Sequence, residues 1–398
     1  MQSTQVIRGA TVHTGRPPGA GPTTLRDVAV VLQDGRVAAV VPTCDAPGRG
    51  VETLDLDGAH LAPGFIDLQV NGGGGVMWND DPTVETTRRI ARAHRAFGTT
   101  ALLPTYITGP LEGMRAAAAA AVAAVAAKPE PGGGARILGA HFEGPFLDER
   151  KPGAHDVHFL RAPTEADLAA ILAPRAAGLE VLLTLAARHF DDATARTLRE
   201  AGVHVSLGHC ASTAAEAGRA FERGATVVTH LFNAMSPLTS REGGLVGAAL
   251  DAAAAGRARI GLILDGVHVA YDVARVALRA AGPGGVFLVT DAVAPVGAPP
   301  GMTSFVLGGQ PVTVSAGRCV NADGALAGSA LDMASAVRNA VREVGLELDE
   351  ALRMASTYPA AAVGLGARFG AIAPGFEADL VWFDDDVRVL GTLVAGER

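Results

Sequence analysis

The spacing of apolar residues changes near residue 65. From there, strand-length apolar runs alternate with segments whose apolar residues recur at helical spacing, a pattern typical of βα units. The runs are 65–71, 100–105, 136–143, 181–187, 204–209, 226–232, 259–265 and 286–291. Eight such units predict an α/β fold with a (β/α)8 TIM-like barrel. An open doubly wound sheet is the alternative, and the lack of a GxGxxG motif after the first run disfavours it.

The two ends of the chain carry a different, β-type pattern. Short runs at the start are separated by turns, and "QDGR" at 33–36 predicts a hairpin. From Gly370 the same pattern returns. Pairing the two ends predicts a small β-sandwich of residues 1–62 and 367–398, beside a barrel domain of residues 63–366.

Two further segments interrupt the barrel pattern. Residues 304–324 read as a β-type insert, and residues 329–345 read as the clearest of the helices that follow it. An alanine-rich run at 115–128 is the most membrane-like stretch, but small side chains with high helix propensity favour an ordinary surface helix.

Composition excludes several classes of partner. The chain has 398 residues, 48% of them hydrophobic, and a net charge of −8, so neither nucleic acid nor an anionic membrane is an expected partner. The three cysteines lie far apart, which suits a reducing compartment. No signal peptide or membrane span is recognisable, so we expect a cytoplasmic protein.

The predicted strand ends carry most of the candidate chemistry. In a parallel barrel, the active site lies at the carboxyl ends of the strands. Imidazole and charged groups rarely end several buried strands by chance, because their burial is unfavourable unless they are paired. The polar residues at these ends are Gln69, Asn71, His141, Glu143, His209, His230, Asp265, His268 and Asp291.

Three of these residues predict a metal site. Glu143, His209 and His230 supply one carboxylate and two imidazoles, a sufficient set for a catalytic divalent cation with a further position for water. Zinc fits these ligand types best, and iron, manganese or cobalt would tolerate them. Asp291 is the candidate proton carrier beside that water, with a helix-capping aspartate as the alternative.

Eight segments, in this order, resemble the N-acetylglucosamine-6-phosphate deacetylases of the amidohydrolase superfamily. The segments are "LAPGFIDLQVNG", "HFEGPF", "LGHC", "THLFNAMSPLTSREGGLVGAAL", "LILDGVHV", "LVTDA", "GSALDM" and "APGFEADLVWF". The resemblance implies a metal-containing (β/α)8 barrel joined to a small β-sandwich. It also implies hydrolysis of N-acetylglucosamine 6-phosphate to glucosamine 6-phosphate and acetate.

The first predicted strand distinguishes this chain within the superfamily. Many amidohydrolases carry His-x-His there and bind two metals, whereas this chain has Gln69 and Asn71. Neutral amides are weak ligands, so we expect about one tightly held divalent metal per chain. Gln69 and Asn71 are then candidates for a loose second site or for orienting water.

The resemblance also implies the substrate contacts. His155 corresponds to the histidine that polarises the acetyl carbonyl, and Asn233 with the Ala234 backbone contacts the sugar or phosphate. Arg241 resembles the arginine that reaches the phosphate from a neighbouring subunit, and His268 its partner. The expected assembly is therefore a homodimer or homotetramer that binds an amino-sugar phosphate.

Two departures from the family pattern stand out. "LAARHF" at 185–190 replaces the usual "LAPE", which places a cation, Arg188, beside the expected pocket. Asp332 stands where threonine is more usual. A sister substrate such as N-acetylgalactosamine 6-phosphate, another amidohydrolase reaction on a cyclic amide or nucleobase, and a non-catalytic sugar-phosphate-binding barrel stay open as alternatives.

Overall fold

The computed structural model describes residues 4–48, 50–127, 133–322 and 324–398. The predicted sandwich segment 1–62 includes four residues outside these ranges, and the alanine-rich run and the β-type insert include one each. The first strands are β1 (Thr4–Arg8), β2 (Thr11–His13), β3 (Thr24–Leu25), β4 (Val28–Gln33), β5 (Arg36–Pro42), β6 (Glu52–Asp55) and β7 (His60–Pro63).

The central part of the chain contains the predicted strand–helix alternation. Its strands are β8 (Phe65–Val70), β9 (Gly72–Gly73), β10 (Val76–Met77), β11 (Thr99–Ile107), β12 (Arg136–Ile137), β13 (Gly139–Glu143), β14 (Glu180–Leu185), β15 (His204–Leu207), β16 (Val227–Val228), β17 (Arg259–Leu262) and β18 (Val286–Leu288). Its helices are α1 (Val84–Arg95), α2 (Leu111–Ala126), α3 (Glu165–Ala176), α4 (Asp192–Glu200), α5 (Ala214–Glu222), α6 (Gly244–Ala254) and α7 (Tyr271–Ala281).

The remaining elements follow the eighth barrel strand. They are β19 (Ser304–Leu307), β20 (Gln310–Ser315), β21 (Arg318–Asn321), β22 (Leu326–Ser329), α8 (Met333–Asn339), a π-helical turn (Ala340–Val344), α9 (Leu348–Ala355), α10 (Thr357–Ala362), β23 (Leu380–Phe383) and β24 (Val389–Leu393). Short 3₁₀ turns lie at Thr43–Asp45, Val157–Phe159 and Ala187–His189.

Eight parallel strands form the barrel. Neighbours pair in the order β8, β11, β13, β14, β15, β16, β17 and β18. Beyond β18 the chain returns to the first strand, where the Asp291 N–H donates to the Gln69 carbonyl over 2.9 Å and Val70 bridges Ala292. Because this contact joins the two edges of the sheet, the barrel prediction is confirmed and the doubly wound alternative is wrong.

Local sequence explains how the outer helices begin. Helix α5, for example, starts at a capping box in which Thr213 accepts from the Glu216 N–H while the Glu216 side chain accepts from the Thr213 N–H. Helix α2 contains the alanine-rich run as far as Ala126, with Met114, Ala117 and Ala121 buried. None of the described helices is long and apolar enough to cross a lipid bilayer.

The chain ends form two small sheets. One has the strand order β5–β4–β1–β6, and the other, β24–β23–β7–β2–β3, joins the start of the chain to its end. The predicted hairpin is present, with Asp34 and Gly35 at positive φ between β4 and β5. Ile7 and Val30 of the first sheet share an apolar cluster with Leu380 of the second. The exact domain boundaries stay a prediction.

A four-stranded antiparallel sheet, β19 to β22, forms the predicted insert. Its buried face packs on the barrel mouth, where Leu307 and Val312 join Met77, Ile107 and Val293 in one apolar cluster. The insert extends to Ser329, so the prediction of one helix over 329–345 was wrong at its start. Asp332 begins α8 instead, as an N-cap that accepts from the Ser335 N–H over 2.8 Å.

Candidate active site

Side chains from four strand ends meet at the mouth of the barrel. Glu143 is the last residue of β13, and His209, His230 and Asp291 each follow a strand by two or three residues. All four are buried or line one cavity of about 150 Å³. A larger groove of about 840 Å³ lies among the terminal strands and shares no residue with this cavity. The candidate catalytic residues therefore line the smaller cavity at the barrel mouth and not the larger groove.

Three ligand-type atoms converge in this cavity. Glu143 Oε1 lies 2.9 Å from His230 Nε2 and 3.3 Å from His209 Nε2, and the two imidazole nitrogens are 3.1 Å apart. In a tetrahedral zinc site with bonds of about 2.0–2.1 Å, neighbouring ligand atoms lie roughly 3.3 Å apart. His155 is a further neighbour, since Glu143, His155 and His209 each place one ligand atom within 4.8 Å of the others. These buried glutamate and histidine side chains form a cluster that can bind a metal ion.

The tautomer of His209 suits a metal ligand. Its Nδ1–H donates to the Lys151 carbonyl over 3.0 Å, which leaves the Nε2 lone pair facing the cluster. His230 Nδ1 is buried, and no partner for it lies among the described residues. Burial raises the pKa of the Glu143 carboxyl, but the hydrogen bonds with His209 and His230 outweigh this effect and hold the pKa well below its ordinary value.

The backbone around the cluster is strained. Three non-glycine residues of the cavity, His209, Ala234 and Asp291, have left-handed φ values of 45°, 51° and 52°. Such conformations cost about 1–3 kcal/mol each and concentrate at functional sites. The strain shows that the fold aims these residues into the cavity at the expense of local stability.

The neutral amides of the first strand hold two carboxylates in place. Gln69 Nε2 lies 3.1 Å from both Glu143 Oε1 and Asp291 Oδ1. The side-chain oxygen of Gln69, Oε1, accepts a hydrogen bond from the Thr229 hydroxyl. Asn71 Nδ2 donates to the same Asp291 oxygen over 2.6 Å. Amide N–H groups thus satisfy the buried carboxylates without adding positive charge, which imidazolium or lysine at these positions would bring.

Asp291 occupies a position suited to proton transfer. Burial raises the pKa of its carboxyl to about 6, and the neighbouring Glu143 charge adds to the shift. Its Oδ1 is held by the two amides, and the residue lines the cavity. Behind it, Thr290 donates from its hydroxyl to Asp67, a fully buried residue of β8. Asp67 does not stand out in the sequence, because it lies inside an apolar run and ahead of the strand end.

His155 lies beside the cluster as a neutral imidazole. Its Nε2 is 3.9 Å from Glu143 Oε2, and burial, reinforced by the nearby His209, lowers the pKa of the ring to about 3. Its Nδ1 accepts from the Thr108 N–H over 3.4 Å and contacts the Thr108 hydroxyl at 2.8 Å. The ring proton therefore lies on Nε2, where it can be donated into the cavity. Thr108 was missed, since threonine is common in strands.

The other implied substrate contacts differ in their placement. Asn233, Ala234 and His268 line the cavity. His268 Nδ1 bonds Asp265 Oδ2 over 2.7 Å, which fixes the ring so that Nε2 is the free nitrogen. Burial raises the pKa of the Asp265 carboxyl, but its bonds with His268 outweigh burial and lower the pKa. Arg241 is exposed and lines no part of this cavity within its own chain.

The unusual "LAARHF" segment faces a different space. Its 3₁₀ turn places Arg188 in a neighbouring cavity of about 320 Å³, with the guanidinium 3.8 Å from Asp148. Asp148 is held mainly by Arg150, which lowers the pKa of its carboxyl to about 2. Arg188 is therefore outside the catalytic cavity in the described structure.

Known proteins are similar to this chain over nearly its whole length. Residues 60–398 match the Amidohydrolase family. The N-acetylglucosamine-6-phosphate deacetylase of Haemophilus influenzae is 37% identical over 94% of this chain and 95% of its own length. The N-acetylgalactosamine-6-phosphate deacetylase of a Shewanella species is 42% identical over 93% of this chain and 91% of its own length.

Solved structures that resemble this chain include enzymes of the same name. The N-acetylglucosamine-6-phosphate deacetylase of Pasteurella multocida superposes with a TM-score of 0.90 at 38% identity, covering 99% of both chains. An aspartate-to-alanine mutant of the Mycobacterium smegmatis enzyme, in complex with N-acetyl-D-glucosamine-6-phosphate, gives 0.86 at 32% identity over 100% of this chain and 98% of its own. The resemblance seen in the sequence motifs is confirmed, and the chain belongs to the Amidohydrolase family.

Proposed function

We propose that this protein removes the acetyl group of N-acetylglucosamine 6-phosphate, giving glucosamine 6-phosphate and acetate in amino-sugar metabolism. The observation that carries the proposal is the convergence of Glu143, His209, His230 and Asp291 at the barrel mouth. Relatives and structural neighbours named for this reaction support it.

Glu143, His209 and His230 would hold one divalent cation, with Zn²⁺ the best match to one carboxylate and two imidazoles. Their nitrogen and oxygen atoms lie at separations that suit such an ion. When bound, the cation lowers the pKa of water toward about 7 and polarises a carbonyl oxygen. Gln69 and Asn71 would leave a second ion only a weak site, because both amides already donate to carboxylates.

Asp291 would move the proton that the reaction requires. Water adds to the acetyl carbon, and Asp291 accepts its proton through the carboxylate oxygen that the amides do not hold. When the carbon–nitrogen bond breaks, the same carboxyl delivers that proton to the nitrogen, which leaves as an amine. Burial raises the pKa of Asp291 to about 6, so the carboxyl group can both accept and donate a proton near neutral pH.

His155 would stabilise the oxygen that gains charge during the attack. Its Nε2–H faces the cavity, because Thr108 engages the other ring nitrogen. A donor prearranged in this way contributes about 3 kcal/mol of transition-state stabilisation in enzymes of acyl transfer. A neutral imidazole can donate this hydrogen bond without repelling a cation held by Glu143, His209 and His230.

The sugar phosphate would extend from the cluster toward the sixth and seventh strands. Asn233, the Ala234 backbone and His268 line that side, and Arg241 of a neighbouring subunit would reach the phosphate. A forked guanidinium can bond two phosphate oxygens at once. We therefore propose a homodimer or homotetramer. Three free cysteines favour a cytoplasmic, reducing setting.

Complementation between two impaired variants tests whether Arg241 acts across the subunit interface. We expect Arg241→Ala to lower kcat/KM about 10- to 150-fold, the value of a charge-assisted hydrogen bond. When it is co-expressed with Asp291→Asn chains, about a quarter of wild-type activity should return, because half of the dimers are mixed and have one intact site. Arg257→Ala, an exposed arginine that pairs with Asp251, serves as the control. Activity no greater than the sum of the two variants would place Arg241 outside the partner's site.

A substrate panel tests the reaction itself. We expect kcat/KM for N-acetylglucosamine 6-phosphate to exceed that for unphosphorylated N-acetylglucosamine by at least about 100-fold, because the phosphate contacts are charge-assisted. N-acetylgalactosamine 6-phosphate is the second candidate substrate, supported by the Shewanella relative. A preference for it would reassign the sugar, and no acetate release from any of the three would favour a binding barrel or another amidohydrolase reaction.

A further inference from the structure

One wall of the barrel-mouth cavity is apolar. It includes Ile107, the last residue of β11, and Leu307, the last residue of β19 in the insert, together with Leu326. The Ile107 and Leu307 side chains are more than nine-tenths buried, at 4% and 5% exposure. An apolar surface at this depth suits an apolar part of the substrate.

Ile107 lies directly beside the cluster. In the parallel pair β11–β13, Ile107 is in register with Glu143, so the two side chains project on the same face of the sheet. The reacting carbon must lie close to the Glu143, His209 and His230 atoms. Ile107 is therefore within one residue width of the place where the acyl group reacts.

The substituents of the reacting carbon leave one direction open. The leaving nitrogen must face Asp291 after the eighth strand, and the carbonyl oxygen must face His155 after the third. The sugar continues toward His268 after the seventh strand. The remaining side is that of the second strand and the insert, where Ile107 and Leu307 lie.

We propose that Ile107 and Leu307 form the acyl pocket and restrict the substrate to a short chain such as acetyl. This inference rests on the proposed deacetylation. Both side chains line the cavity, so an acyl chain longer than acetyl that extends in this direction meets them.

The wall is held in place by the insert. Leu307 packs with Met77 and Val293 in the cluster beneath the β19–β22 sheet. At the tip of the β19–β20 hairpin, a Cβ added to Gly308 would lie 3.8 Å from the carbonyl oxygen of Ala154, the residue before His155. Because the surrounding side chains fix Leu307 from below, a longer acyl chain cannot simply displace it.

The test compares Leu307→Ala with Val306→Ala, its neighbour on the same strand, whose side chain is 45% exposed. The substrates are the N-acetyl, N-propionyl and N-butyryl forms of glucosamine 6-phosphate. We expect Leu307→Ala to raise the butyryl-to-acetyl ratio of kcat/KM about tenfold or more, since each methylene in an apolar pocket changes specificity by at least about that factor. Val306→Ala should keep the wild-type ratio.

A second, milder variant keeps the test valid if Leu307→Ala fails to fold. Ile107→Val removes one methylene from the other half of the wall and should shift preference toward propionyl with little loss of stability. Unchanged acyl ratios in both wall variants, with an active wild type, would overturn the acyl pocket alone. A wild type that releases no acid from any of the three substrates would instead overturn the proposed function.

Discussion

Replacing Asp291 by asparagine is expected to lower kcat by about 10²- to 10⁴-fold, the usual contribution of a positioned acid–base group. Asparagine has nearly the same shape, and its carbonyl oxygen can still accept from Gln69 and Asn71, whose Nδ2 lies 2.6 Å from Asp291 Oδ1. An amide cannot take a proton from water at neutral pH. The reaction would therefore lose its proton carrier while the cavity keeps its shape.

The measurement is kcat at saturating substrate, together with metal content and melting temperature. Asp332→Asn is the matched control, because Asp332 caps α8 and asparagine caps helices equally well. We expect that control to keep wild-type turnover. If Asp291→Asn turns over within tenfold of wild type, another group carries the proton.

The barrel was predictable because its signal is repeated eight times. Each of the eight predicted barrel runs overlaps a strand, but most strands end earlier than their apolar run. The run 204–209 holds β15 only as far as Leu207, and 226–232 holds only Val227–Val228. Beyond these points the backbone turns, and His209 and His230 point into the barrel mouth. Hydrophobic periodicity does not predict this turn.

The charged members of the site were predictable for the same reason. Glu143 and Asp291 stand at the ends of apolar runs, where a buried charge needs an explanation. Their supporting residues were not predictable, because Thr229 and Thr108 are ordinary strand-forming residues in sequence. Only the fold shows that Thr229 bonds Gln69 and that Thr108 fixes His155.

The direction in which a loop side chain points could not be predicted from the sequence either. The sequence places Arg188 one residue from a predicted strand end, but local pattern cannot tell which of two adjacent cavities a loop faces. Similarly, residues 329–345 read as one helix, whereas Ser329 pairs with Arg318 in the insert sheet. Both errors arise where tertiary contacts, and not local propensity, decide the conformation.

Replacing Glu143 by glutamine is expected to remove both the metal and the activity. Metal content should fall from about one equivalent per chain to below about a tenth, since a neutral amide is a weak ligand for zinc-type cations. The amide of the new glutamine could be oriented in two ways, and both are unfavourable. Its NH₂ group would face another donor, Gln69 Nε2, or its uncharged oxygen would replace the carboxylate oxygen beside the two histidines.

The measurement combines metal analysis with turnover, and the control is Glu216→Gln, because Glu216 is exposed and glutamine also completes a capping box. Chelator treatment of the wild type should abolish turnover, and added Zn²⁺ should restore it, whereas Glu143→Gln should stay inactive at the same Zn²⁺ concentration. Two fully occupied equivalents in the wild type would contradict the single-metal prediction, because Gln69 and Asn71 then could not be donating to carboxylates as the structure has them. A metal-free wild type with full turnover would remove the cation from the reaction and leave Asp291 and His155 to act alone.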